Sequence, residues 1–197
     1  MMSGVTFVLA SASPRRAELL QSAGFTFTVL PADVDESPLS EELPDDYARR
    51  IARAKAARVL SRVPPDTLVL AADTVVVGAN GRMMAKPADD AEAASMLRDL
   101  SGSVHEVHTA VVVARGGTTF ESLTTTRVRF KTLTEAEIDW YVRSGEAFGK
   151  AGGYGIQGRA ARFIEWIEGS WSNVVGLPIS TVYDLFQRAG ATQVTPH

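Results

Sequence analysis

Two adjacent arginines close the segment Ser11-Ala12-Ser13-Pro14-Arg15-Arg16, and paired guanidiniums at that spacing suit the oxygens of a phosphate. The segment lies between an apolar run, Val5 to Ala10, and an amphipathic stretch, Arg16 to Ala23, so it reads as a strand-to-helix turn. Ser13 suits the N-cap and Pro14 the first helical turn, where a missing N–H costs nothing. Helix starts attract anions, and arginines there oppose the helix dipole unless an anion is bound. The bland alternative is a capped helix carrying two solvated arginines. A second signal is Asp73, a carboxylate inside Leu68-Val69-Leu70-Ala71-Ala72-Asp73-Thr74-Val75-Val76-Val77. Burying it is costly unless it is paired, hydrogen-bonded or metal-bound, so it is a metal ligand, a general base, or an aspartate capping a strand end.

Lys55 is anomalous in the same way. On a helical wheel of about 100° per residue it falls inside the stripe of Ala48, Ile51, Ala52, Val59 and Val63, whereas Arg49, Arg50 and Arg53 lie off it as solvated charges. An inward lysine either snorkels to the surface or enters a pocket of anions. Lys86 follows an Asn80-Gly81 hairpin that returns towards the Asp73 strand, and is either a loop lysine or part of the same site. Glu36, in the acidic loop Asp33-Val34-Asp35-Glu36, is a second candidate metal ligand or a solvated loop carboxylate. Lys150-Ala151-Gly152-Gly153-Tyr154-Gly155-Ile156-Gln157-Gly158-Arg159 is too rich in Tyr, Ile and Gln for a linker. Its glycines permit close backbone approach to a ligand, and the Gln157 amide suits the edge of a base; a bulge or pair of turns is the alternative. Several cations, one or two carboxylates and a ring-reading loop together suit a nucleoside triphosphate. No GxxxxGK[ST] loop or helix-opening GxGxxG is present, so P-loop and dinucleotide-binding readings fall away.

The elements that must carry these residues alternate. Strands are predicted at Val5–Ala10, Thr26–Leu30, Thr67–Val77, Arg82–Ala85, Glu106–Ala114, Glu121–Lys131 and Arg162–Trp166. Helices are predicted at Pro14–Ala23, Pro44–Val63, Ala88–Leu100, Glu135–Ser144 and Ile179–Arg188. Thr134-x-x-Glu137 reads as a capping box, and Asn80-Gly81 and Gly116-Gly117 as tight hairpin turns. Alternation with hairpins predicts an α/β protein with a mixed, twisted sheet and flanking helices. The chain has 197 residues, 45% hydrophobic and 22% charged, enough for one sizeable core or two lobes sharing a sheet. A formal net charge of -3 argues against a nucleic-acid or membrane-surface binder. Without cysteine there are no disulfides and no thiolate chemistry, and His105, His108 and His197 do not form a histidine-rich metal site. No long apolar run and no signal-peptide pattern is present, which points to a cytoplasmic enzyme.

The ordered series of motifs resembles the Maf family of nucleoside triphosphate pyrophosphatases. The series comprises Ser11 to Arg16, Ala54-Lys55-Ala56, Ala72-Asp73-Thr74, Lys86-Pro87, Leu100-Ser101-Gly102, Thr109-Ala110-Val111, Lys150 to Gly158 and Val174-Val175-Gly176-Leu177-Pro178. The resemblance implies one Maf-like α/β domain over residues 1–191, with two lobes around a central cleft, similar to the inosine-triphosphate pyrophosphatases. Residues 192–197 would be a frayed tail. It implies hydrolysis at the α-phosphorus to a monophosphate and pyrophosphate, with Asp73 as catalytic base, and a homodimer.

The Tyr-Gly-Ile-Gln-Gly form of the glycine-rich motif, Tyr154 to Gly158, is similar to the branch associated with dTTP and UTP. The reading of the residues themselves extends the substrates to modified pyrimidine nucleotides and makes Asp73, Lys55 and Lys86 catalytic. Ser11, Arg15, Arg16, Thr74 and Gln157 would bind substrate, and Asp73 and Glu36 would hold Mg²⁺ or Mn²⁺. The nucleoside triphosphate would be the partner, with neither nucleic acid nor membrane. The alternatives are a 7-methyl-GTP or purine nucleotide pyrophosphatase on the same scaffold, and a non-catalytic nucleotide sensor linked to septum formation.

Overall fold

Short apolar strands, each running into a loop and a helix, set the pattern of the first part of the chain. The computed structural model describes residues 6–191. Strand β1 (Phe7–Leu9) leads through the Ser11–Ser13 turn into helix α1 (Pro14–Ser22), and β2 (Phe27–Val29) leads through a long loop into α2 (Pro44–Leu60). Then come β3 (Val69–Val77), β4 (Met83–Met84) and α3 (Asp90–Leu100). The long strands β5 (Val104–Arg115) and β6 (Thr118–Phe130) follow, joined at Gly116-Gly117, where both glycines have positive φ. Helix α4 (Glu135–Val142), strand β7 (Ile164–Glu168) and helices α5 (Trp171–Val175) and α6 (Ile179–Arg188) complete the order.

The strands form one sheet in the order β2-β1-β3-β5-β6-β7, with β4 paired to β3. β1 pairs in parallel with both β2 and β3, whereas β4 on β3 and β7 on β6 are antiparallel, so the predicted mixed sheet with flanking helices is present. The order β2-β1-β3 sends the chain from β1 to one side and then back past it. Such a reversal opens a crevice beyond the carboxyl ends of parallel strands, where ligands of open α/β sheets bind. β1 ends at Leu9, opposite Leu70, while β3 runs on, so Ala71, Ala72 and Asp73 extend past the end of β1 beside its outgoing turn.

The chain divides into two compact units, and β3, β5 and β6 contribute residues to both. The first comprises residues up to Asp73, 109–124 and those from Gly176 onward. Its core includes an aromatic cluster in which Phe7 packs on Phe25, Phe27 and Phe186, with Leu9, Leu20, Ile51, Val59 and Leu70 fully buried. The second comprises residues 74–108 and 125–175, with a core of Leu97, Leu100, Val107, Val128, Phe130, Ile138, Tyr141 and Phe163. The predicted tail, 192–197, lies outside the described residues.

Most predicted elements are present with ends shifted by a few residues, and three differences have physical causes. The last strand is displaced: Arg159–Phe163 winds into a 3₁₀ turn and pairing with β6 begins only at Ile164. Trp171–Val175 forms a short helix, too brief for a periodic pattern. Ser13 occupies the N-cap without a side-chain cap hydrogen bond; its own N–H instead donates to Ser11 Oγ at 3.2 Å. The capping box at Thr134 and Glu137 is complete.

His105 and His108, an odd spacing apart on β5, take different partners. His105 Nε2 lies 2.7 Å from the Tyr154 hydroxyl, and His108 Nε2 lies 3.0 Å from Glu106. Burial pushes the His105 pKa from 6.5 down to about 4. Between those values the unfolded chain binds the proton and the folded protein does not, so stability from this residue falls as pH falls. We expect His105→Gln to remove up to about 1.4 kcal/mol per pH unit of that slope, read by urea unfolding between about pH 6 and pH 5. An unchanged slope would show that His105 titrates normally.

Candidate active site

The inward face of α2 delivers Lys55 to the end of β3. Ala48, Ile51, Ala52, Ala56 and Val59 bury the same helical face, and the Lys55 stem goes with them. Its ammonium neither snorkels nor stays unpaired: Nζ donates to Asp73 Oδ1 at 2.7 Å and lies 2.7 Å from Glu36 Oε1. Asp73 is 6% exposed and Lys55 8%. Asp73 therefore caps no turn; it is a buried carboxylate with a charged partner. Burial pushes its pKa up, opposed by the charges of Lys55 and Arg16. Glu36, weak as a loop carboxylate in the sequence, is the third member of the cluster.

The Glu36 loop is held from α2. The Tyr47 hydroxyl donates to the Glu36 main-chain carbonyl at 2.7 Å, and burial, with the charges of Asp73 and Glu36 added, pushes the Tyr47 pKa up to about 12. Arg50 grips both Glu42 oxygens at 2.6 and 2.7 Å and reaches Ser37 O at 3.0 Å. Arg49 and Arg53 bind Glu121. These three arginines lie off the buried stripe, as the wheel predicts, but are engaged in ion pairs rather than simply solvated.

The two arginines of the turn differ in burial and in partners. Arg16 is buried, its Nε donating to Gly176 O at 2.8 Å and one terminal nitrogen donating to Ala72 O at 2.7 Å and Ser11 Oγ at 3.2 Å. It thus ties the turn to the residue before Asp73 and to the Gly176 segment. Arg15 is half-buried and makes no hydrogen bond or ion pair among the described residues. Desolvation lowers its pKa, opposed by the charge of Glu18.

The other predicted residues belong to the second unit. Thr74 follows Asp73 on β3 and is partly exposed. Lys86 is exposed just beyond β4, whose Met84 pairs with Val76. Gln157 is exposed in the glycine-rich segment. That segment is fixed behind Gln157: Gly152, at φ 70°, donates its N–H to Ala85 O at 3.1 Å. A Cβ there would come within 3.0 Å of Val76, so glycine is required. Gly155 N–H donates to the Tyr141 hydroxyl at 3.2 Å.

Two carboxylates presented to one cationic group form a hard-oxygen donor pair that fits Mg²⁺ or Mn²⁺ when water or phosphate oxygens complete the set. Among the described residues no group of three or more His, Cys, Asp or Glu side chains is placed to hold a metal ion without such help.

A family model described as "Maf-like protein" matches residues 6–189. A protein of Methylobacillus flagellatus named "dTTP/UTP pyrophosphatase" is 48% identical over 183 residues, covering 92% of each chain. One of the same name from Anaeromyxobacter dehalogenans is 50% identical over 187 residues, covering 93% of each. Among solved structures, the dITP/XTP pyrophosphatase of Mycobacterium abscessus overlaps 65% of this chain and 75% of its own at 15% identity, with a TM-score of 0.40, too low to bear on fold or activity. The family match over nearly the whole chain and the close relatives settle one point: this chain belongs to the Maf-like family.

Proposed function

We propose that the chain is a nucleoside triphosphate pyrophosphatase that hydrolyses dTTP and UTP at the α-phosphorus to the monophosphate and pyrophosphate. The observation that carries this reading is the buried Lys55 ammonium held between Asp73 and Glu36, beside the Arg15 turn at the ends of β1 and β3. The relatives named dTTP/UTP pyrophosphatase support the substrate class.

Asp73 orients the attacking water and takes its proton. Burial raises its pKa towards the working pH, which makes it a better base than a solvated aspartate. Arg15, Lys55 and Lys86 bind the triphosphate and offset the charge that develops on the departing pyrophosphate. Ser11 hydrogen-bonds a phosphate or sugar oxygen, and Arg16 holds Ser11 and the end of β3 in register from behind. Asp73 and Glu36 would hold Mg²⁺ or Mn²⁺, which when bound supplies a Lewis acid at the phosphoryl oxygens. Thr74 and Gln157 read the base. A cytoplasmic homodimer belongs to the same proposal; among the described residues no helix is long and apolar enough to cross a membrane.

The test is pyrophosphate release from a panel of nucleotides, with and without Mg²⁺ or Mn²⁺. The expected order is dTTP and UTP first, CTP next and purine triphosphates last. Nucleotide binding without pyrophosphate release would favour a sensor, and equal rates on dTTP and GTP would remove the pyrimidine assignment.

Gln157 supplies the sharper test of specificity. Its amide donates to O4 and accepts from N3–H of uracil or thymine, whereas a carboxylate only accepts. Gln157→Glu is expected to lower kcat/KM for dTTP and UTP by about ten- to a hundredfold, the scale of one lost polar match, and to raise the relative activity on guanine nucleotides. Unchanged selectivity would remove Gln157 from base recognition.

A further inference from the structure

The same two oxygens that would receive the divalent cation are already in the hands of a lysine. Lys55 Nζ lies 2.7 Å from Glu36 Oε1 and 2.7 Å from Asp73 Oδ1. An ammonium and a divalent cation are both hard positive charges, and two such charges repel strongly in a site that excludes most water. Lys55 is not loosely placed, because its stem is buried on α2 with Ile51, Ala52 and Val59. Arg16 adds a second positive charge near Asp73, which further weakens the pull on an incoming cation. The Glu36 side of the cluster is more open, with a side chain 38% exposed. Its backbone is nevertheless pinned by the Tyr47 hydroxyl, and the segment after it is clamped by Arg50 on Glu42 and Ser37. The carboxylates are thus preset, and the buried stem leaves only the ammonium end of Lys55 to turn towards new anions.

We propose that Lys55 is a built-in competitor for the divalent cation. In the nucleotide-free protein its ammonium holds Glu36 and Asp73, and triphosphate oxygens draw it away, freeing both carboxylates for the cation. Cation and nucleotide then bind interdependently, and Lys55 reaches the phosphates only as the cation site opens. This inference rests on the metal-assisted reading of the site above, but concerns the order of events and not the substrate.

The test reads Mn²⁺ binding to the nucleotide-free protein from the electron paramagnetic resonance of free Mn²⁺. Lys55→Met is expected to tighten the apparent Kd about tenfold or more, because the cation-competent fraction rises towards one. Adding Glu36→Gln to that variant is expected to abolish the gain, which separates competition for these oxygens from a general change in charge. Lys55→Gln, which keeps a polar group beside Asp73, repeats the measurement should the methionine variant fail to fold. A third arm needs no variant. In the wild type the side-chain nitrogen resonance of Lys55 is expected to move on Mg²⁺ titration in step with the rise in melting temperature, while that of Lys131, which pairs with Glu137, stays in place.

Equal or weaker Mn²⁺ binding by a folded Lys55 variant would overturn the proposal. So would a gain that survives Glu36→Gln, no measurable Mn²⁺ binding in any form, or a Lys55 resonance unmoved at the Mg²⁺ plateau. None of these readouts requires turnover, so a failure of the nucleotide panel would count against the functional reading alone.

Discussion

Asp73→Asn is expected to lower turnover of dTTP and UTP by about two orders of magnitude or more, the scale of a lost general base. Folding is expected to survive, because a neutral amide costs less to bury than a carboxylate and its oxygen still accepts from Lys55 at the place where Asp73 Oδ1 does. The pH profile gives an independent reading. In the metal-free, nucleotide-free protein burial raises the Asp73 pKa against the pull of Lys55 and Arg16, so its carboxyl resonance should titrate above the ordinary value of 3.8. Near wild-type turnover in Asp73→Asn, checked by steady-state pyrophosphate release, would make Asp73 a structural residue.

The two neighbouring arginines are expected to fail in opposite ways when cut to alanine. Arg16→Ala removes a buried guanidinium and leaves the carbonyls of Ala72 and Gly176 without their donor. Unfolding free energy should fall by about 3 kcal/mol or more, the scale of breaking a buried charged network. Arg15→Ala removes a half-buried side chain with no such partner, so stability should change by less than about 1 kcal/mol. Its kcat should fall about ten- to a hundredfold if the contact tightens on the leaving pyrophosphate. Urea unfolding and steady-state kinetics on both variants check the pair. Equal stability losses would contradict this division of roles, and a pure KM effect in Arg15→Ala would limit it to ground-state binding.

What the sequence could announce follows from what each residue's neighbours reveal. Lys55 stands out because its helical stripe is otherwise apolar, and Asp73 because its strand is apolar on both sides. Both anomalies are local, and the structure resolves them into a single ion pair. Glu36 has no such background, since an acidic loop is normally solvated. Its place is set by Tyr47 and Arg50, contacts that depend on how the loop packs against α2. Arg16 is harder still, because its partners are main-chain carbonyls 56 and 160 residues away, which leave no signature in side-chain types. The fold follows the same rule. The helix Ile179–Arg188 and the capping box at Thr134 are written in local periodicity and chemistry. The late start of β7 depends on the 3₁₀ turn before it, and its pairing register is a tertiary matter.

Hydrolysis of dTTP in water enriched in the heavy oxygen isotope tests the central claim most directly, with mass spectrometry of the products. Attack at the α-phosphorus, aided by Asp73, predicts one labelled oxygen in dTMP, unlabelled pyrophosphate, and loss of both products in Asp73→Asn. Label in pyrophosphate or orthophosphate, or labelled dTMP formed at an undiminished rate by Asp73→Asn, would contradict it.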